Sequence, residues 1–80
     1  MIKKSYYLVY VLLESQECIS DCHTLYKRLE DAQEAMQKEI AECGENFKSG
    51  SVVTDLERCY EVRNEDGYGY IVGIDTLRPR

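Results

Sequence analysis

No tryptophan occurs among these 80 residues and phenylalanine occurs once, whereas tyrosine occurs seven times. Aromatic burial therefore depends on rings that carry a hydroxyl group, and such rings prefer edges and interfaces to deep cores. No internal repeat or low-complexity segment is visible. A chain of this length with a hydrophobic share of 44% is predicted to form a single domain, residues 1–80, with one thin core.

The chain also lacks a long apolar run. Its most apolar stretch, Tyr6–Leu13, has eight residues, far fewer than the roughly 20 that a membrane-spanning helix needs. Lys3 and Lys4 precede this stretch as they would in a signal peptide, but no small-residue cleavage site follows it. We therefore predict no membrane association and a cytoplasmic location, where the four cysteines are reduced thiols.

Basic residues are in the minority, 10 against 15 acidic residues. Residues 14–66 hold 14 acids and 6 bases, a net charge of −8, and the two ends together carry +3. An acidic surface repels phosphate backbones and attracts basic partners. Direct nucleic-acid binding is therefore disfavoured, although acidity can also serve solubility alone.

The first part of the chain is predicted to be extended. Tyr6–Leu13 is rich in β-branched and aromatic residues, and both of its faces are apolar, which is typical of a central strand covered on both sides. Glu14–Glu17 is predicted to turn. Cys18–Lys27 fits either a second strand or the first turns of a helix, and we favour the strand.

A helix is predicted from Leu29 onward. Its apolar stripe has the helical period and consists of Leu29, Ala32, Met36, Ile40 and Cys43. Glu30 and Asp31 lie in the first turn, where carboxylates interact favourably with the helix dipole. Gly44 is predicted at the C′ position that commonly ends a helix.

The last part of the chain is predicted to be a loop and a hairpin. Glu45–Asp55 is the loop, and Leu56–Asn64 and Tyr68–Leu77 are strands joined by three residues, with Gly67 left-handed. This loop length places one apolar set on a common face: Tyr60, Val62, Tyr70, Val72 and Ile74. The predicted fold is α+β, an antiparallel sheet of three to four strands with one helix packed on one face, in the order ββαββ or, without the second strand, βαββ.

The cysteines and the single histidine are the first candidates for chemistry. A zinc site would use Cys18, Cys22, His23 and either Cys43 or Cys59, but closely spaced cysteines do not occur twice. On a strand, the thiols of Cys18 and Cys22 would be roughly 13 Å apart, and His23 would face away from Cys22. We predict structural thiols, no catalytic residue, no metal and no cofactor, so that the chain is not an enzyme.

Carboxylates are the second candidates. Eight of them on the helix and the hairpin could present charge at phosphate-like intervals to a basic protein surface: Glu30, Glu34, Glu42, Glu45, Glu57, Glu61, Glu65 and Asp66. The alternative is that they form a solvated face without a partner.

Tyr6–Leu13, then Leu-Glu-Asp-Ala-Gln-Glu-Ala-Met at residues 29–36, and then a tyrosine-rich hairpin resemble small accessory proteins of phages and mobile elements in gut bacteria. That class usually has Ser or Thr before Leu-Glu, where this chain has Arg28. Some phage proteins of this size and acidity, including anti-CRISPR proteins, inhibit host defence by binding a nuclease complex. The resemblance implies a phage-encoded inhibitor of a host nucleic-acid-binding defence complex, and it assigns no role to any single residue.

The first strand also predicts self-association. One helix covers one face of a sheet, so the other apolar face of this strand needs a cover. We predict a homodimer through Tyr7, Val9, Val11 and Leu13, or through the alternate residues of the strand. The competing cover is the loop Glu45–Asp55, folded back through Phe47, Val52 and Val53.

Three functions follow from these observations. The favoured one is a non-enzymatic protein-binding module with a basic protein partner. The alternatives are a small thiol or zinc-binding protein, and a structural or assembly subunit whose role is its own oligomer.

Overall fold

A computed structural model describes residues 5–15 and 19–78 of the chain. Over these residues the order of elements is ββαβββ. The elements are β1 Tyr6–Glu14, β2 Ile19–Tyr26, α1 Leu29–Asn46, β3 Ser51–Leu56, β4 Cys59–Arg63 and β5 Gly69–Leu77. The α+β class and the single helix are confirmed for this part of the chain, but the sheet has five strands where three to four were predicted.

The sheet is antiparallel throughout, with the strand order β2-β1-β5-β4-β3. β1 and β5 pair along their full nine-residue lengths, from Tyr6 opposite Leu77 to Glu14 opposite Gly69. The central position predicted for β1 is therefore confirmed. The second strand is confirmed as well, over Ile19–Tyr26, whereas Cys18 lies outside the described residues.

The predicted loop Glu45–Asp55 is wrong, because its first two residues belong to α1 and its last five belong to β3. The β-branched run Val52-Val53-Thr54 favours extended backbone, and β3 pairs with β4 from Ser51 opposite Arg63 to Leu56 opposite Cys59. A two-residue turn, Glu57-Arg58, joins the two strands. Leu56 therefore belongs to β3, not to the strand predicted to start there.

The helix continues past Gly44, where it was predicted to end. Its last residue is Asn46, and the Phe47 N–H donates to the Gly44 carbonyl oxygen at 3.3 Å. The ring of Phe47 lies 5.9 Å from that of Tyr70, which is nearly fully buried. Aromatic packing at the helix end therefore outweighs the preference of glycine for a helix terminus.

The β4–β5 hairpin forms as predicted. Gly67 has a φ of 85°, in the left-handed region that favours glycine. The Asn64 N–H donates to the Tyr68 carbonyl oxygen at 2.7 Å, which closes a three-residue loop. The register places Val62 opposite Tyr70 on the shared apolar face, as expected.

The core lies between α1 and one face of the sheet. Its buried residues are Val9, Ala32, Met36, Cys43, Val62, Tyr70, Val72 and Ile74. The odd-numbered residues of β1 contribute to it, because the register pairs Val9 with Ile74 and Val11 with Val72. No helix among the described residues is long and apolar enough to cross a membrane.

This register corrects the predicted dimer face. Tyr7, Val9, Val11 and Leu13 belong to the core or pack against it on the helix side. The helix therefore covers this set, and the alternate residues of β1 point away from it.

Candidate protein-interaction surfaces

The side of the sheet opposite to α1, which none of the described elements covers, is called the open face. Its apolar side chains come from all five strands and are Tyr6, Leu8, Tyr10, Leu12, Ile19, Leu25, Leu56, Cys59, Ile71 and Leu77. The four from β1 and Ile71 are half-buried by their in-plane neighbours, and Leu25 on the edge strand is 57% exposed. The open face is therefore an apolar surface at the centre of the sheet.

The predicted alternative cover for this face does not form. Val52 pairs with Val62, which is a core residue, so Val52 points to the helix side of the sheet. Phe47 also packs on the helix side, against Tyr70. Residues 45–55 therefore widen the sheet and leave the open face uncovered.

Tyr10 lies at the centre of the open face and crosses β5 at Gly73. The register aligns Tyr10, Gly73 and Cys59 on three adjacent strands. A Cβ at Gly73 would collide with the Tyr10 ring, so glycine leaves the space that the ring fills. Burial raises the pKa of the Tyr10 hydroxyl, and the proximity of Cys59 and Asp75 raises it further.

An ion-pair cluster lies on the open face near the β4–β5 hairpin, where the apolar surface ends. Arg63 lies 2.8 Å from Glu61 and 3.6 Å from Glu14, measured between side-chain nitrogen and carboxylate oxygen. Its side chain is only 21% exposed, so the two ion pairs are partly shielded from solvent. One cation therefore balances part of the charge of two carboxylates on this face.

The helix side of the molecule carries an acidic cleft at the turn between β3 and β4. This cleft is open, has a volume of about 290 Å³, and is lined by Gln33, Met36, Gln37, Asp55, Leu56 and Glu57. The Gln33 amide donates to the Glu57 carboxylate at 3.3 Å, which connects the turn to α1. The cleft thus combines the carboxylates of Asp55 and Glu57 with the amides of Gln33 and Gln37, over the buried side chain of Met36.

The structure divides the eight predicted carboxylates among three places. Glu57 lines the acidic cleft, and Glu30 and Glu34 are exposed on α1 about one turn from Gln33 and Gln37. Four others lie toward the opposite end of α1 and at the hairpin: Glu42, Glu45, Glu65 and Asp66. Glu61 differs from all of these, because it is on the open face and is paired with Arg63.

A second, smaller pocket separates the hairpin from the loop after α1. Its volume is about 240 Å³, and Ser49, Asn64, Glu65 and Asp66 line it. The Asn64 carboxamide oxygen accepts hydrogen bonds from the backbone N–H groups of Asp66 and Tyr68. Asn64 therefore orders the loop that carries the two carboxylates.

The thiols and the histidine are dispersed. Cys22 and His23 are exposed on opposite faces of β2, as predicted for adjacent strand residues. Cys59 shares the open face with His23, but three strand spacings, roughly 14 Å, separate them. Among residues 5–15 and 19–78, no group of three or more His, Cys, Asp or Glu residues could hold a metal ion.

Cys43 differs from the other described thiols in being buried within the core under α1. Burial raises the pKa of its thiol, and Glu39 and Glu42 raise it further. A thiol with a raised pKa is less ionised at neutral pH and therefore a poorer nucleophile or metal ligand. Tyr70 is similar, because burial raises its pKa, with smaller effects of Tyr60 and Cys43.

No family model, curated protein or solved structure matches this chain.

Two features of these surfaces were missed by sequence reasoning. The acidic cleft joins residues 33–37 to residues 55–57, and assigning residues 45–55 to a loop concealed that proximity. The contact of Tyr10 with Gly73 did have a signal, since a glycine inside a strand often marks a close approach.

Proposed function

We propose that this chain is a non-enzymatic protein-binding module that receives lysine or arginine side chains of a basic partner surface. The observation that carries this proposal is the acidic cleft. Asp55 and Glu57 provide carboxylates for a cationic head group, and the side-chain carbonyl oxygens of Gln33 and Gln37 can accept further hydrogen bonds from it.

Further negative charge surrounds the cleft and favours a basic partner. Glu30 and Glu34 are exposed on the adjoining helix face, and the net charge of residues 14–66 is −8. A surface of this sign steers a basic partner toward the cleft before contact. It also fits a partner whose basic surface normally holds a nucleic-acid backbone.

The finer proposal is a phage-encoded inhibitor of a host defence complex that binds nucleic acid. In that role the cleft and the helix carboxylates would occupy the positions of phosphates in the basic channel of the partner. Nucleic acid and this protein would then compete for the same site on the complex.

Binding to a short arginine-rich peptide tests the cleft. We expect Asp55→Asn combined with Glu57→Gln to raise the Kd about tenfold, which corresponds to the roughly 1.4 kcal/mol expected from charge-assisted hydrogen bonds. The matched control is Glu61→Gln combined with Glu14→Gln, which removes two charges from the open face. The affinity of the wild type should also fall as salt rises.

Equal losses for the two double variants would contradict the cleft, because they would show that only net charge matters. Failure of the wild type to bind the peptide at low salt would contradict the proposal as a whole. For the finer proposal, purified CRISPR nuclease complexes should bind this protein less tightly once they are loaded with target nucleic acid. Equal affinity for the free and the loaded complexes would contradict the finer proposal.

A further inference from the structure

We propose that a second copy of this chain covers the open face, so that the protein is a two-fold homodimer with its sheets face to face. The contact would be centred on Leu8, Tyr10, Leu12 and Ile71, at the middle of the sheet. This face is opposite to the acidic cleft, so the inference does not rest on the proposed function.

The size of the face agrees with a dimer contact. The five strands have nine, eight, six, five and nine residues in chain order. At about 3.4 Å per residue and about 4.8 Å between strands, they cover roughly 600 Å². A standard specific interface buries about 800 Å² on each partner. The open face is therefore large enough for a specific dimer at the small end of the standard range.

The distribution of polarity also agrees with a dimer contact. Specific interfaces have an apolar centre, often with tyrosine, and a polar rim. Here Leu8, Leu12, Tyr10 and Ile71 lie on the inner strands β1 and β5, whereas the edge strand β2 carries Asp21 and His23 between Ile19 and Leu25. Asp75 lies beyond the last residue of β5 that pairs with β4.

The charges of the rim permit contact between identical surfaces. Arg63 pairs with Glu14 and Glu61 in the same protomer, which reduces the repulsion between two copies of this acidic face. A two-fold contact places the same apolar centre on both sides, so no foreign partner is needed to match it. A hydrophobic centre with internally paired charges therefore fits a second copy better than a strongly basic partner.

Dimerisation leaves the acidic cleft accessible. The two helices would lie on the outer sides of the paired sheets, because α1 packs on the face opposite to the contact. Two clefts on one particle would give a bivalent ligand for a basic surface. That consequence would hold only if the cleft binds as proposed, whereas the dimer itself would not depend on it.

Sedimentation equilibrium of the intact chain tests the dimer. Between about 1 and about 200 µM, concentrations that bracket the affinity of a small interface, the mass should approach twice the 9.3 kDa of one chain. Leu12→Lys should raise the dimer Kd at least about 30-fold, as expected for a residue at the centre of an interface. Val52→Lys, also an exposed strand residue but on the helix side, should leave the dimer Kd unchanged.

Hydroxyl-radical footprinting of the wild type provides a readout that does not depend on the folding of the Leu12→Lys variant. Tyr6, Tyr10 and Leu12 should become more reactive on dilution, while Tyr68 in the hairpin loop should not. A monomer at all concentrations would overturn the proposal. A dimer that Leu12→Lys leaves intact would also overturn it, and would place the contact at an exposed sheet edge.

Discussion

Along β1 the two faces of the sheet are both apolar. They differ mainly in what covers them. On the helix side Val9 is 3% exposed and Val72 is fully buried. On the open face Leu8 and Leu12 are half-buried, and Leu25 is mostly exposed. A strand with two apolar faces therefore indicates two contacts, of which the described part of this chain supplies one.

The largest expected effect comes from the covered face. Met36→Ala should lower the free energy of unfolding by about 3 kcal/mol, because it removes a buried side chain and leaves a cavity under α1. Leu8→Ala on the open face should cost about 1 kcal/mol in the monomer, because its side chain is only half-buried. Urea unfolding at a concentration where the protein is monomeric measures both.

The two losses would become similar if the open face were covered by its own chain in solution. The difference should instead narrow only as protein concentration rises, when a second copy begins to cover Leu8. Equal losses in the monomer would therefore contradict the distinction between the two faces.

The sequence predicted most of the fold but did not determine which face of β1 meets the helix. Tyr6–Leu13 is apolar at both odd and even positions, so its own pattern is symmetric. β5 is less symmetric, since one of its faces carries Tyr70, Val72 and Ile74 and the other carries two glycines and Asp75 besides Ile71 and Leu77. The β1–β5 register transfers this asymmetry to β1, and register between distant strands depends on tertiary contacts that a single sequence does not show.

The candidate site was predicted less well than the fold. Glu57 was expected at an acidic surface, and it lines the cleft, but Asp55 and Gln33 were not singled out. Their proximity depends on β3, which lies at the edge of the sheet and is mostly exposed. Exposed edge strands have little hydrophobic periodicity, which is why residues 45–55 were interpreted as a loop.

Gly73→Ala tests the packing of the Tyr10 ring on Gly73 within the open face. We expect a loss of about 2 kcal/mol, because the added methyl group displaces the Tyr10 ring from β5. In a Tyr10→Ala background the same substitution should cost less than about 0.5 kcal/mol, so that the double-mutant cycle gives a large coupling energy. Chemical denaturation of the four proteins measures this coupling.

Additive losses in that cycle would show that Tyr10 does not lie over Gly73. The open face would then be less ordered than the covered face, and its role as a dimer contact would weaken. A large coupling would instead show that the open face is fixed in the monomer.

Gly67→Ala should have a smaller effect, because Gly67 lies in the hairpin loop outside both faces. A loss of about 1 kcal/mol is expected from forcing a side chain into the left-handed region. No atom lies within 4 Å of the Cβ that alanine would add, so the loss comes from the backbone alone. Gly67→Asn is the control and should cost less, since asparagine tolerates this conformation better.

The smallest effect on stability at neutral pH is expected from the titration of the buried tyrosine hydroxyls, which changes stability only above about pH 10. Burial raises the pKa of Tyr70 on the covered face above its ordinary value of about 10. The unfolded chain therefore loses this proton at a lower pH than the native chain, and the resulting difference in proton binding makes stability fall as pH rises above about 10. Below that pH the group binds its proton in both states and contributes no slope. Tyr70→Phe should reduce the slope above about pH 10, as measured by urea unfolding at each pH, after correction for the loss of the hydroxyl at pH 7.

Tyr10→Phe makes the same change on the open face, where burial also raises the pKa of the hydroxyl. Only the effect of Tyr10→Phe should increase at concentrations where a second copy excludes water from the open face. A concentration-independent effect of Tyr10→Phe would contradict the dimer as the cover of the open face, and an equal increase for Tyr70→Phe would contradict the difference between the two faces.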